Sequence, residues 1–138
     1  MKKIAAFIIT NCLMVTLIFG QEIGLKIGDI APELDYNNPK GEKMKLSSLR
    51  GKLVLIDFWA SWCGPCQQLK PIIEKISNDM ADKIDCYYHD IESQPNEPTK
   101  YSVRGVPTVL LFKAGKLLGT KVGATSEKDM LEFIQPHI

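Results

Sequence analysis

The sequence is short of the features that most often announce a partner. Its 138 residues carry 17 lysines and arginines against 16 acidic residues, a net charge of +1, and no window gathers basic side chains with aromatics. A nucleic-acid face is therefore excluded, and no nucleic-acid partner is expected. Histidine is scarce: His89 and His137 stand alone with no paired ligand, and neither is assigned a role. No metal or other cofactor is expected. Internal repeats and low-complexity tracts are missing, and the chain is too short for two large domains. With 45% hydrophobic and 24% charged residues, the composition suits one soluble domain with one core, expected to be a monomer.

What is present begins at the N-terminus. "MKKIAAFIITNCLMVTLIFGQE" places Lys2 and Lys3 before an apolar run from Ile4 to Phe19 and reaches Gly20 ahead of the polar Gln21. This pattern reads as a secretory signal peptide over residues 1–20, cleaved near Gly20. The run is also about as long as the shortest membrane spans, so a retained anchor is the alternative. Cleavage leaves residues 21–138 as a single domain with a net charge of −1. The expected location is the periplasm or another exported compartment.

Export puts Cys63, Cys66 and Cys86 where disulfides persist. Three is odd, and the Cys63/Cys66 pair is separated by only Gly64 and Pro65. So tight a loop gains little chain entropy from closure, which makes the pair a poor staple. Reversible redox chemistry or metal binding is the better use of it.

Elements can be placed around the pair. "ELDY" (33–36) and "KMKL" (43–46) flank the turn-prone "NNPKG" and predict a hairpin. "LVLIDFWA" (53–60) is an apolar, β-branched and aromatic run, the pattern of a strand buried on both faces. From Cys63 to Met80, Leu69, Ile72, Ile73, Ile76 and Met80 recur at helical spacing, with Pro71 expected to kink the axis. A strand (84–91), a short helix near 99–101, two strands around Ala114-Gly115 and a helix over 126–134 follow. Ser126 and Asp129 form a capping-box pattern at the start of that last helix. The order indicates an α/β domain with a mixed sheet.

On that map Cys63 starts the helix that follows the central strand. The positive end of the helix dipole there favours a thiolate. Cys66, one turn further in, is better shielded and suited to resolve a mixed disulfide. Pro65 costs little so early in a helix. Asp57, inside the apolar strand, loses hydration and should have a raised pKa. It is read as the proton acceptor for Cys66; the alternative is a buried carboxyl bonded to a backbone turn. Cys86, at an inward strand position, is expected to be an inert thiol.

"DFWASWCGPC", "KYSVRGVPTVLLFKAGK" and "KVGA" together resemble thioredoxin, and the resemblance covers residues 52–135. "IGDIAPELDYNNPKGEKMKLSSLRGK" is similar to the opening of exported thioredoxin-like proteins of the TlpA and ResA type. The resemblance implies a thioredoxin fold, with a mixed central β-sheet flanked by helices and an N-terminal β-hairpin extension. It implies Cys63 as attacking thiolate, Cys66 as resolving cysteine and Asp57 as buried acid. It also implies that Pro107 is a cis-proline presenting the Val106 backbone to a substrate chain by strand addition. Trp62, Gly64, Pro65, Gly123 and Ala124 are then the rim around the cysteines, and Trp59 packs behind them. Two departures stand out, Tyr88 where a lysine is common near the buried acid and Gln67 where a basic residue often follows the second cysteine. Both remove positive charge, which should raise the Asp57 pKa further unless a Tyr88 hydroxyl bond offsets it.

The function expected from this is a thiol:disulfide oxidoreductase that reduces disulfides of exported proteins and is itself reduced by a membrane-embedded thiol donor. A copper or other metal chaperone using the same pair is the alternative, disfavoured by Pro65 and by the lack of a nearby His or Met ligand. A peroxidase is suggested by "GDIAP" alone, without the Thr-x-x-Cys context such an enzyme would need.

Overall fold

In the computed structural model, residues 24–37, 43–49 and 51–138 are described. The expected signal peptide and the tip of the expected hairpin, 38–42, lie outside them. The hairpin strands are β1 (Asp35–Asn37) and β2 (Lys43–Lys45), paired antiparallel. After a 3-10 turn at Leu46–Leu49 come β3 (Leu53–Trp59), α1 (Gly64–Asp79) and β4 (Ile84–Asp90). A short α2 (Glu97–Lys100) leads to β5 (Thr108–Lys113), β6 (Lys116–Val122) and α3 (Glu127–Ile134). α2 starts two residues before the expected position, because Pro98 fits the first turn of a helix, where its missing N–H costs nothing.

The main sheet has the order β4-β3-β5-β6, parallel between β3 and β4 and antiparallel elsewhere. β3 is thus an inner strand, as its unbroken apolar run requires, and its residues alternate between two cores. Leu53 and Leu55 pack with Leu69, Ile73 and Ile76 of α1 and with Met130 and Ile134 of α3. Val54, Ile56 and Phe58 pack on the opposite face with Leu34, Leu46 and Tyr101. That second face is roofed by the N-terminal segment, so the extension is part of the core.

Local sequence explains the element ends. α1 runs on past Pro71. The Ser126 side chain accepts the Asp129 backbone N–H at 3.1 Å and caps α3 as expected. Ala114 and Gly115, with φ of 51° and 78°, form the two-residue turn joining β5 to β6. Positive φ at both central residues matches the right-handed twist of the strands they join.

Candidate active site

The site is built where β3 ends and α1 begins. Cys63 is the N-cap of α1 in extended conformation, and its sulfur accepts the Cys66 backbone N–H at 3.2 Å. That N–H is one of those a helix start leaves without an intrahelical partner, so the helix itself supplies a donor to the sulfur. Cys63 and Cys66 form a disulfide with their Cα atoms 5.2 Å apart. Both are buried, packed with Ala60 and against Trp59, Ile91 and Val106. Gly64 and Pro65 are exposed between them, and Trp62 stands 68% exposed at the rim.

The Val106-Pro107 segment reaches the pair, and the Gly123 turn reaches that segment. The Val106-Pro107 peptide bond is cis, and Val106 touches the cysteine cluster. Among the described residues the Val106 backbone finds no hydrogen-bond partner. Gly123 donates its N–H to the Pro107 carbonyl at 2.8 Å, which brings Gly123 and the exposed Ala124 beside the same loop. The φ of +87° at Gly123 favours glycine.

Asp57 sits two residues before Trp59 on β3, in register with Tyr88 of β4 and Val109 of β5. Strand alternation puts its side chain on the α1 face, with Leu53 and Leu55. It is 1% exposed and Oδ1 has no hydrogen-bond partner, which speaks against a carboxyl retained to bond a turn. Burial pushes it from 3.8 up to about 7. The Tyr88 hydroxyl donates to the Lys70 carbonyl at 3.5 Å rather than to Asp57, so the offset considered from sequence is absent. Cys86 is half-buried on the same face, a free thiol pushed by burial up to about 11. At that value it stays protonated and unreactive at neutral pH.

The Thioredoxin family profile matches residues 42–136. The chain belongs to the thioredoxin family. It is 48% identical to the thioredoxin of Acidithiobacillus ferridurans over 87 residues, 63% of this chain and 81% of that one. It is 40% identical to the thioredoxin of Rickettsia conorii over 103 residues, 74% of this chain and 98% of that one. The crystal structure of a Chlorobium tepidum protein described as a thiol:disulfide interchange protein DsbE superposes with a TM-score of 0.72. That pair is 27% identical, covering 82% of this chain and 98% of the neighbour. The molecule is a thioredoxin-fold thiol-disulfide oxidoreductase, a disulfide reductase whose redox pair is Cys63 and Cys66, and its partners are thiols and disulfides.

The thioredoxin domain also carries features that sequence reasoning missed. Beside Trp62 lies a groove of about 340 Å³, lined by Ile91, Pro95, Val103, Arg104 and Val106. Glu92 accepts the Ser61 N–H at 2.7 Å, and Gln67 Nε2 donates to the Ser61 carbonyl at 3.0 Å. His89 is 2% exposed, its ring 4.7 Å from that of Phe58, and is a core residue. Burial lowers its pKa. The Glu92 contact joins two turn residues 31 apart in sequence, so no periodic pattern could have signalled it. Among the described residues no cluster of three or more His, Cys, Asp or Glu side chains could hold a metal ion.

Proposed function

We propose that the protein reduces disulfides in exported proteins, working as a monomer in the periplasm or an equivalent exported compartment. In the reduced form the Cys63 thiolate attacks one sulfur of the substrate disulfide. A Cys63–substrate mixed disulfide forms and the first substrate thiolate leaves. Cys66 then gives its proton to Asp57 and attacks the Cys63 sulfur, which closes the Cys63–Cys66 disulfide and releases the second substrate thiolate. Two electrons pass from the dithiol to the substrate. A membrane-embedded thiol donor returns them.

The observation that carries these roles is the helix-start hydrogen bond from the Cys66 N–H to the Cys63 sulfur. It supports reading Cys63, once reduced, as the cysteine whose anion the helix stabilises. Asp57, buried and raised to about 7, is poised to exchange a proton at neutral pH. The unpartnered Val106 backbone, with Pro107 behind it, offers an extended substrate a strand to pair with. Trp62, Gly64, Pro65, Gly123 and Ala124 form the surface such a chain would cross. Export rests on Lys2, Lys3 and the apolar run to Phe19, which makes 1–20 the signal peptide and 21–138 the exported domain, with the TlpA/ResA-like opening at its front. The copper-carrier reading uses the same two cysteines and is separated from exchange by experiment.

Insulin-disulfide reduction with dithiothreitol, with a metal-binding assay on the reduced protein, tests the class. Titration against glutathione tests the direction: Gly64-Pro65 predicts a potential near the value known for thioredoxin, about −270 mV, and one near the roughly −120 mV of the oxidant DsbA would reverse it. N-terminal sequencing of the protein recovered from cells decides between cleavage near Gly20 and a retained anchor.

A further inference from the structure

We propose that Glu92 and Gln67 are positioning residues for the disulfide exchange, gripping Ser61 by both of its backbone groups and so fixing the chain that delivers Cys63. Ser61 lies two residues before Cys63. Its N–H is held by the Glu92 carboxylate at 2.7 Å and its carbonyl by Gln67 Nε2 at 3.0 Å. Gln67 directly follows Cys66, so its side chain reaches back over the whole cysteine turn to the residue that enters it. Glu92 is itself braced. Its own N–H donates to Asp90 Oδ1 at 2.9 Å, and Ser93 Oγ donates to Asp90 Oδ2 at 2.7 Å. The neighbouring Ile91 N–H is bonded to the Trp59 carbonyl at 3.0 Å.

Neither side chain adds to a core, since both are exposed. Holding two long, exposed side chains in one rotamer costs conformational entropy, and the return is local order in the turn. That order acts on the redox equilibrium. Both Ser61 bonds are made with the Cys63–Cys66 disulfide closed, so they favour that form by as much as the freer dithiol turn gives them up. Releasing Ser61 therefore disfavours the disulfide and makes the dithiol a weaker reductant. The same loop that presents Glu92 carries Ile91 and Pro95 of the groove, so the grip also ties the groove wall to the redox turn.

The inference rests on Cys63–Cys66 exchange, and the test separates the two. The full chain is compared with Gln67→Ala, Glu92→Leu and Glu92→Gln by glutathione titration, by insulin reduction, and by thermal unfolding of the oxidised and reduced forms. Gln67→Ala and Glu92→Leu should each lower the equilibrium constant for disulfide formation about three- to tenfold, the worth of one net hydrogen bond. A tenfold change is 29.6 mV for this two-electron couple. Glu92→Gln keeps an oxygen that accepts the Ser61 N–H and should return to the wild-type value. Unchanged potentials in both truncation variants, with unfolding shifted equally in the two redox forms, would overturn the grip. Glu92→Gln behaving like Glu92→Leu would overturn it too, by assigning the effect to charge. A wild type that reduces no insulin refutes the exchange itself, a result the variants do not mimic.

Discussion

Asp57 on β3 stands in register with Tyr88 on β4, yet the phenol turns its hydroxyl to the Lys70 carbonyl and leaves the carboxyl without a donor at Oδ1. A buried acid in that state is a local cost to the fold, and the cost depends on its charge.

Asp57→Asn should stabilise the protein. The carboxyl is raised from 3.8 to about 7, so the folded state holds its proton across that window more tightly than the unfolded chain, and stability falls as pH rises through it. The penalty is fully present above pH 7 and is on the order of 4 kcal/mol at most. Denaturant midpoints of the two proteins should converge near pH 4 and separate by pH 8. Equal midpoints at pH 8 would sink the claim.

The same substitution should slow resolution of mixed disulfides, by about a hundredfold for loss of one general base. Wild-type single-turnover rates should rise with pH through an inflection near 7, where Asp57 becomes able to take the proton. Stopped-flow tryptophan fluorescence reads this directly. If the inflection survives in Asp57→Asn, another group is the acceptor.

Cys63→Ser should abolish turnover, whereas Cys66→Ser should retain its attacking sulfur and accumulate mixed disulfides with client proteins. Mass spectrometry of adducts captured by each variant checks this. Adducts on the Cys63→Ser protein alone would exchange the roles of attacker and resolver.

His89 acts in the opposite pH direction from Asp57. Its ring is buried against Phe58 and its pKa is held below 6.5 by that burial, while Gln94, Glu97 and Asp90 pull the other way. The unfolded chain therefore binds the proton first, and stability is lost as pH falls below 6.5. His89→Gln should flatten the acid side of the stability profile. Parallel profiles for wild type and variant between pH 7 and 5 would show that His89 does not titrate the fold.

The elements that position the cysteines were legible because each rests on a local rule. The apolar run of β3, the 3.6-residue spacing from Leu69 to Ile76 and the Ser126 cap need no knowledge of distant chain. What was not legible depends on contacts across sequence. Tyr101 is legible only as the end of a short helix, but its hydroxyl donates to the Pro32 carbonyl 69 residues away and its ring lies in the core. His89 reads as a lone histidine without a paired ligand, and nothing local reveals that its ring stacks on Phe58, itself packed on Tyr101. The Glu92–Ser61–Gln67 arrangement joins two turn residues to an exposed position of α1, and none of the three carries the apolar period that marks an element.

The N-terminal segment has a consequence for how the protein keeps its own kind at a distance. Gly28 donates to the Leu117 carbonyl, Leu117 to that of Asp29, and Ala31 to that of Gly115, so the segment lies along the first half of β6, one of the two outer strands of the sheet. An uncovered strand edge is a template for another copy to pair with. The half that is covered is the one away from Gly123, whose N–H is bonded to the carbonyl of the cis-proline Pro107. A shortened chain beginning after Leu34 would keep every redox residue and still bare this edge together with the apolar face under Leu34, and aggregation rather than loss of chemistry would be the first fault to show.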